Sequence, residues 1–210
     1  MKSEEFHDLL QKKLKQEPPA VINGLIYFRE LVLKENENQN LTRLTSPKDF
    51  FEGHLLDVLE LNPLLELKFP ALDLGSGAGV PGLLSAILKK RHWILCDSEI
   101  KKAEFLKKAI QKLSIQDVEV FAGRGEDFLK KHTVETVVSR AVGSVQKIYS
   151  WIRKCSTWNI LILFKGPNWE KEWQEFQSCA WRKELKLMRC HEYFVGDEKK
   201  RRRIVCLKRI

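Results

Sequence analysis

The residues best placed to do chemistry stand between positions 73 and 97. Asp73 precedes glycines at 75, 77 and 79, and Asp97 follows about twenty residues after them. Glycine tolerates positive φ and carries no Cβ, so a ligand can lie against bare backbone there. The apolar run of Phe69, Ala71, Leu72 and Leu74 reads as a buried strand, and Leu83, Leu84, Ile87 and Leu88 recur at helical spacing. The expected unit is strand, glycine turn and a helix starting near Pro81. Such a helix would aim its unpaired N–H groups and positive dipole end at the ligand, favouring a carboxylate or phosphate. Residues 93–96 form a second short apolar run, and Asp97 at its end stands where a carboxylate can accept both hydroxyls of a ribose. These features point to a nucleotide-like cofactor. The dinucleotide fingerprint is G-x-G-x-x-G, whereas here the pattern is G-x-G-x-G, with Val80 in place of the third glycine. With the added carboxylate of Asp73, that spacing weighs against a nicotinamide cofactor.

The rest of the chain must position this unit. Residues 1–65 read as helices that form an N-terminal cap, and residues 66–210 as one compact α/β unit. Within the cap, Ser46 before Pro47 is a good start signal for a helix that carries His54 and Asp57 on one face, where they are expected to form a structural hydrogen-bonding pair. In the second unit, residues 118–121 alternate as a third strand and run into Gly123, Arg124, Gly125 and Glu126. Glu126 would sit near the adenine end of a cofactor, and Arg124 could meet a cofactor or RNA phosphate. A fourth strand, 133–139, runs into Arg140, at the end of the sheet where open α/β proteins bind ligands. A fifth, 159–164, ends at Lys165. Trp169, Trp173 and Phe176 recur at helical spacing and read as core. Residues 185–195 and 203–207 read as a terminal hairpin around Gly196 and Asp197. The basic block 199–203 between them is either a charged hairpin tip or edge, or a phosphate-binding patch. Strand and helix alternate five times before the hairpin, which implies a parallel sheet with helices on both faces and an antiparallel edge.

Composition narrows the setting. Thirty-seven Lys and Arg against 28 Asp and Glu give a formal charge of +9 over 210 residues, an excess that suits a polyanionic partner such as nucleic acid. The five cysteines are scattered without a C-x-x-C, and the five histidines form no H-E-x-x-H, so no metal and no disulfide framework are expected. No stretch has the length and apolarity of a membrane span, and the first residues lack a signal peptide's pattern. Reduced cysteines and a cytoplasmic location are expected.

The D-x-G-x-G-x-G arrangement at 73–79 resembles the first motif of S-adenosylmethionine-dependent methyltransferases. Further motifs narrow the resemblance. Asn40-Leu41-Thr42-Arg43, then His54-Leu55-Leu56-Asp57, then 72–82 (LDLGSGAGVPG), Asp97-Ser98 with Lys101-Lys102, Gly123 to Glu126, Ser139-Arg140-Ala141 and Lys165-Gly166 together resemble the bacterial small-subunit ribosomal RNA methyltransferase G family, also called glucose-inhibited division protein B. The resemblance runs from about residue 20 to the end. It implies a Rossmann-like methyltransferase fold with a seven-stranded sheet, S-adenosyl-L-methionine as cofactor, and methyl transfer to N7 of a guanine in 16S rRNA. The partner it implies is the small ribosomal subunit or its assembly intermediate, met by a monomer. It places cofactor contacts at Gly75, Val80, Gly125, Glu126 and Arg140, beside Asp73, Gly77, Gly79 and Asp97 from the residues themselves. Arg124 and Lys165 are the candidate substrate contacts. The fourth strand ends in Ser139-Arg140-Ala141-Val142, neither the Asn/Asp-Pro-Pro-aromatic turn suited to an exocyclic amine nor a cysteine nucleophile. Guanine N7 loses no proton on methylation, so no general base is assigned.

Overall fold

The computed structural model describes residues 2–210. Two helices open the chain, α1 (Lys2–Lys13) and α2 (Pro19–Asn36), the latter with proline at its first position, where the missing N–H leaves no bond unmade. After a loop, Ser46 caps α3 (Pro47–Phe50) by accepting the Asp49 N–H at 3.0 Å. The helix then loosens into a π-turn, Phe51–Leu55, before tightening again as α4 (Leu56–Leu61).

Strand and helix alternate from there: β1 (Ala71–Leu74), α5 (Gly82–Leu88), β2 (Trp93–Asp97), α6 (Ile100–Leu113), β3 (Val118–Ala122), α7 (Gly125–Leu129), β4 (Thr136–Arg140), α8 (Val145–Ile152), β5 (Ile160–Lys165) and α9 (Trp169–Gln177). Two long strands close the order, β6 (Leu185–Val195) and β7 (Lys200–Arg209). The seven strands form one sheet in the order β3-β2-β1-β4-β5-β7-β6. β1 to β5 run parallel, and β7 is antiparallel to both β5 and β6. The chain goes from β1 outward to β2 and β3, then crosses back to β4 on the other flank. The carboxyl ends of β1 and β4 are therefore the switch point at which such sheets bind ligands.

Alternate strand residues face opposite layers. Ala71, Trp93, Leu95 and Ile162 join α1, α2, α5 and α6 in one apolar cluster, so the N-terminal helices share a core with one face of the sheet. Leu72, Ile94, Val137 and Leu161 face α7, α8 and α9, where Trp169 and Phe176 pack as expected. Among the described residues no helix is long and apolar enough to cross a membrane.

The hairpin departs from the expectation. The basic block lies not between the strands but largely inside β7, and β7 is an interior strand, with β6 at the edge. A charged edge therefore does not explain it. Its arginines meet carboxylates: Arg201 is 3.8 Å from Glu192, Arg202 is 2.7 Å from Asp57, and the buried Arg203 pairs with Glu170 and Glu192. Much of the block's charge is answered within the fold.

Candidate functional site

At the carboxyl ends of the strands lie two clefts that share Gly75, Asp97 and Val142. The larger, about 510 Å³, runs from the glycine loop across Val80 and Asp97 to His54, Arg140 and the segment Leu41 to Leu44. The smaller, about 210 Å³, lies over β2 and β3, lined by Leu74, Val142, Trp151, Gly125, Glu126 and Arg124. Their size and mixed walls suit a small-molecule site.

Backbone conformation shapes the glycine loop. Gly75 and Gly77 have φ of +78° and +54°, in the region that favours glycine. A Cβ on Gly75 would stand 2.6 Å from Val142, whereas one on Gly77 would meet nothing closer than 4.0 Å and would project into open space. Gly77 is thus the bare floor of the cleft. Gly79 has another duty: a Cβ there would press on Leu83 and Leu106 at 3.0 and 3.2 Å, so it lets α5 and α6 close together rather than facing a ligand.

Asp73 lies beneath this loop and not in the cleft lining. Its Oδ2 accepts the Gly82 N–H at 2.8 Å, while Oδ1 is buried without a partner among the described residues. Burial raises its pKa from 3.8 to about 7, against the pull of the Gly82 N–H. This corrects one expectation: the start of α5 is enclosed, and its first N–H is taken by the chain's own carboxylate instead of a bound anion. Asp97 does reach both clefts. Its Oδ2 accepts the Gly77 N–H and its Oδ1 the Glu99 N–H, each at 2.9 Å. Each oxygen keeps a second lone pair, so two further hydroxyl donors can still be met.

The opposite wall is built from side chains. Arg140, at the end of β4, is held at three points: its Nε is 2.8 Å from Asp57 Oδ2, one terminal nitrogen 2.9 Å from His54 Nδ1, and the other donates to the Gly53 carbonyl at 2.6 Å. Asp57, only 2% exposed, also accepts from Arg202 and from the Tyr193 hydroxyl, both at 2.7 Å. His54 and Asp57 do not bond to each other, as the shared helix face suggested; Arg140 bridges them. The π-turn helps to bring Gly53 and His54 to this wall, a recurrent use of such turns at functional sites. A Cβ on Gly53 would meet the end of the Leu44 side chain, in the loop that roofs the cleft, so that side chain would have to shift to admit it. His54 Nε2 lies 2.9 Å from Thr42 Oγ1. Burial first, then the nearby charges of Arg140 and Arg202, lower the His54 pKa from 6.5 to about 3.

The structure brings together Gly75, Gly77, Val80, Asp97 and Arg140 in the larger cleft, and Gly125 and Glu126 in the smaller. Arg124 stands on the rim, its side chain 72% exposed and 3.8 Å from Glu126. Lys165 is not in either lining. Its ammonium is buried, 2.7 Å from Glu172 and 2.7 Å from the Gly143 carbonyl, and both contacts oppose a role in holding substrate. The sequence reading missed Gly53, Tyr193, Arg202, Trp151 and Val142. Only the Leu41-Thr42-Arg43 motif and the His54/Asp57 spacing hinted at the side-chain wall.

Known proteins resemble this chain in sequence and in fold. The family model described as rRNA small subunit methyltransferase G matches residues 21–203. A protein of that name from Rhodopirellula baltica is 36% identical over 176 residues, 83% of this chain and 76% of its own. Another from Solibacter usitatus is 32% identical over 205 residues, 95% and 98% of the two chains. Among solved structures, a mutant of MtNAS in complex with S-adenosylmethionine superposes with a TM-score of 0.57 at 14% identity, covering 86% of this chain and 72% of that one. M. capricolum TrmK in complex with S-adenosyl-homocysteine gives 0.51 at 15% identity over 66% and 61%. At such identities the structural likeness concerns the fold alone.

Proposed function

This chain belongs to the rRNA small subunit methyltransferase G family, and we propose on that premise that it transfers a methyl group from S-adenosylmethionine to N7 of a guanine in 16S rRNA. The residues present fit that cofactor. The open floor at Gly77 is a place that any side chain would fill, and Asp97 keeps acceptor capacity for the two ribose hydroxyls. The smaller cleft, walled by Leu74, Val142 and Trp151 with Glu126 at its side, suits a flat adenine. Gly75, Gly77, Val80, Asp97, Gly125, Glu126 and Arg140 would hold the molecule, and Asp73 and Gly79 would support the loop from below. When bound, S-adenosylmethionine supplies a methyl group on a positively charged sulfur, ready to leave with the bonding pair.

The observation that carries the choice of N7 is the state of His54. Both its ring nitrogens are engaged, and its pKa near 3 keeps it from accepting a substrate proton at neutral pH. An exocyclic amine must shed a proton on methylation. N7 has an in-plane lone pair and sheds none, so a site that aligns nucleophile and methyl group suffices. Arg140, fixed at three points, keeps a positive charge at the wall without swinging into the path of the base. The target must be unstacked to reach this depth. Arg124 on the rim is free to meet an RNA phosphate. The protein acts as a monomer in the cytoplasm, on the small subunit or its assembly intermediate, with the +9 charge favouring approach.

The test is to incubate small subunits lacking the modification with methyl-labelled cofactor and map the label. One labelled guanine, modified at N7, is expected. Label on another base or atom, or none in RNA despite cofactor binding, would overturn the reading.

A further inference from the structure

We infer that Thr42 is a specificity-determining residue: its hydroxyl donates a hydrogen bond into the larger cleft, to O6 of the guanine whose N7 is methylated. This rests on the reaction proposed above.

The assignment follows from counting donors and acceptors. A guanidinium can only donate, so the Arg140 contact makes His54 Nδ1 an acceptor. The imidazole is neutral, so its proton sits on Nε2 and is donated to Thr42 Oγ1 at 2.9 Å. The Leu44 backbone N–H donates to the same oxygen at 3.0 Å. Both lone pairs of the hydroxyl are then taken, and its own proton must go elsewhere. No described residue accepts it, and Thr42 lines the cleft. The threonine is also well fixed, because Asn36 Oδ1 accepts the N–H groups of Leu41 and Thr42 at 2.8 and 2.9 Å. The result is a directed donor, with its polarity set by Arg140 through His54.

The identity of the acceptor follows from position. The sites suited to adenine and ribose lie over β3, β2 and β1, whereas Thr42 is tied through His54 to Arg140, at the β4 end. That is the end left for the incoming base. On the major-groove edge guanine presents N7 and O6 as adjacent acceptors, while adenine carries an amino donor beside N7. A fixed donor at O6 would admit guanine, repel adenine and align N7.

Full-length Thr42→Val and Thr42→Ser proteins are compared on unmodified small subunits reconstituted with either guanine or 2-aminopurine at the target. 2-Aminopurine keeps N7 and lacks O6. On guanine, Thr42→Val should transfer methyl about 10-fold more slowly, as expected for one lost hydrogen bond, with Thr42→Ser close to wild type. On 2-aminopurine, wild type and Thr42→Val should be equal. Affinity for S-adenosylhomocysteine should be unchanged. A Thr42→Val rate equal to wild type on guanine would overturn the inference, and so would an equal loss on both bases, which marks a structural role. Loss of S-adenosylhomocysteine affinity would assign the hydroxyl to the cofactor and also overturn it. Wild-type protein that transfers nothing even to guanine would defeat the underlying reaction instead.

Discussion

Over β1, β2 and β3 the cleft is walled mainly by backbone, with Gly75, Gly77 and Gly125 giving close approach and Asp97 tying the loop to the next strand end. At β4 it is walled by the side chains of His54 and Arg140, braced from behind by the buried Asp57, on which Arg202 of β7 also converges. The first wall is local in sequence and is damaged by adding atoms. The second gathers residues from position 42 to position 202 and is damaged by removing charge. One cleft therefore has two opposite sensitivities.

Asp57→Ala tests the second wall and should have the largest effect. It leaves two arginines and a tyrosine hydroxyl around an uncompensated gap, and breaking a buried pair from one side costs about 3–5 kcal/mol. Urea denaturation should show that loss; a change under about 1 kcal/mol would mean that the pairs contribute little. Gly77→Leu tests the first wall. Its Cβ would meet no protein atom closer than 4.0 Å and the side chain would enter the cleft, so calorimetry should show at least ~100-fold weaker S-adenosylhomocysteine binding, about 2.7 kcal/mol, in a protein with unchanged circular dichroism. Retained affinity would move the ligand off that floor.

The third effect is a slope spread over several pH units, and it comes from beneath the loop. The folded-state pKa of Asp73 is raised from 3.8 to about 7, so between those values the folded protein holds a proton that the unfolded chain has lost. Stability from this group is greatest below pH 3.8 and falls as pH rises toward 7, at no more than about 1.4 kcal/mol per pH unit. Asp73→Asn should remove the slope, so denaturation across pH 4–8 should show the variant gaining on wild type up to about pH 7 and holding level above it. Parallel curves would show that Asp73 is not held protonated. His54 acts with the opposite sign: its pKa near 3 makes stability fall as pH drops below 6.5, and comparing Asp73→Asn with wild type cancels that contribution.

The same division explains what could be read before the fold was known. Glycine spacing, Asp97 and the alternation of strand and helix announce the backbone wall, because each signal lies within about twenty residues and has a local physical cause. The start of α5 misled, since only the fold shows that the helix start is enclosed and that Asp73 takes the Gly82 N–H. Lys165 misled in the same way, since its partner Glu172 sits on the following helix and turns it inward. The run of basic residues at 199–203 reads as a charged hairpin tip or edge, or as a phosphate-binding patch, until strand order is known; Asp57 and Glu192, remote in sequence, then account for Arg202 and Arg203. Of the side-chain wall, the His54/Asp57 spacing and Arg140 at a strand end gave a local sign, whereas Arg202, which reaches Asp57 from a remote strand, gave none.

β7 is the last strand in chain order, yet it lies inside the sheet, between β5 and β6. During synthesis β5 must wait with an open flank until residues 200–209 have left the ribosome, and Asp57 stays without Arg202 until the same moment. Pairings over such sequence distances form late. The nascent chain can thus assemble its glycine floor and set Arg140 against Asp57 before β7 arrives, and Arg202, the last brace on that carboxylate, is added late.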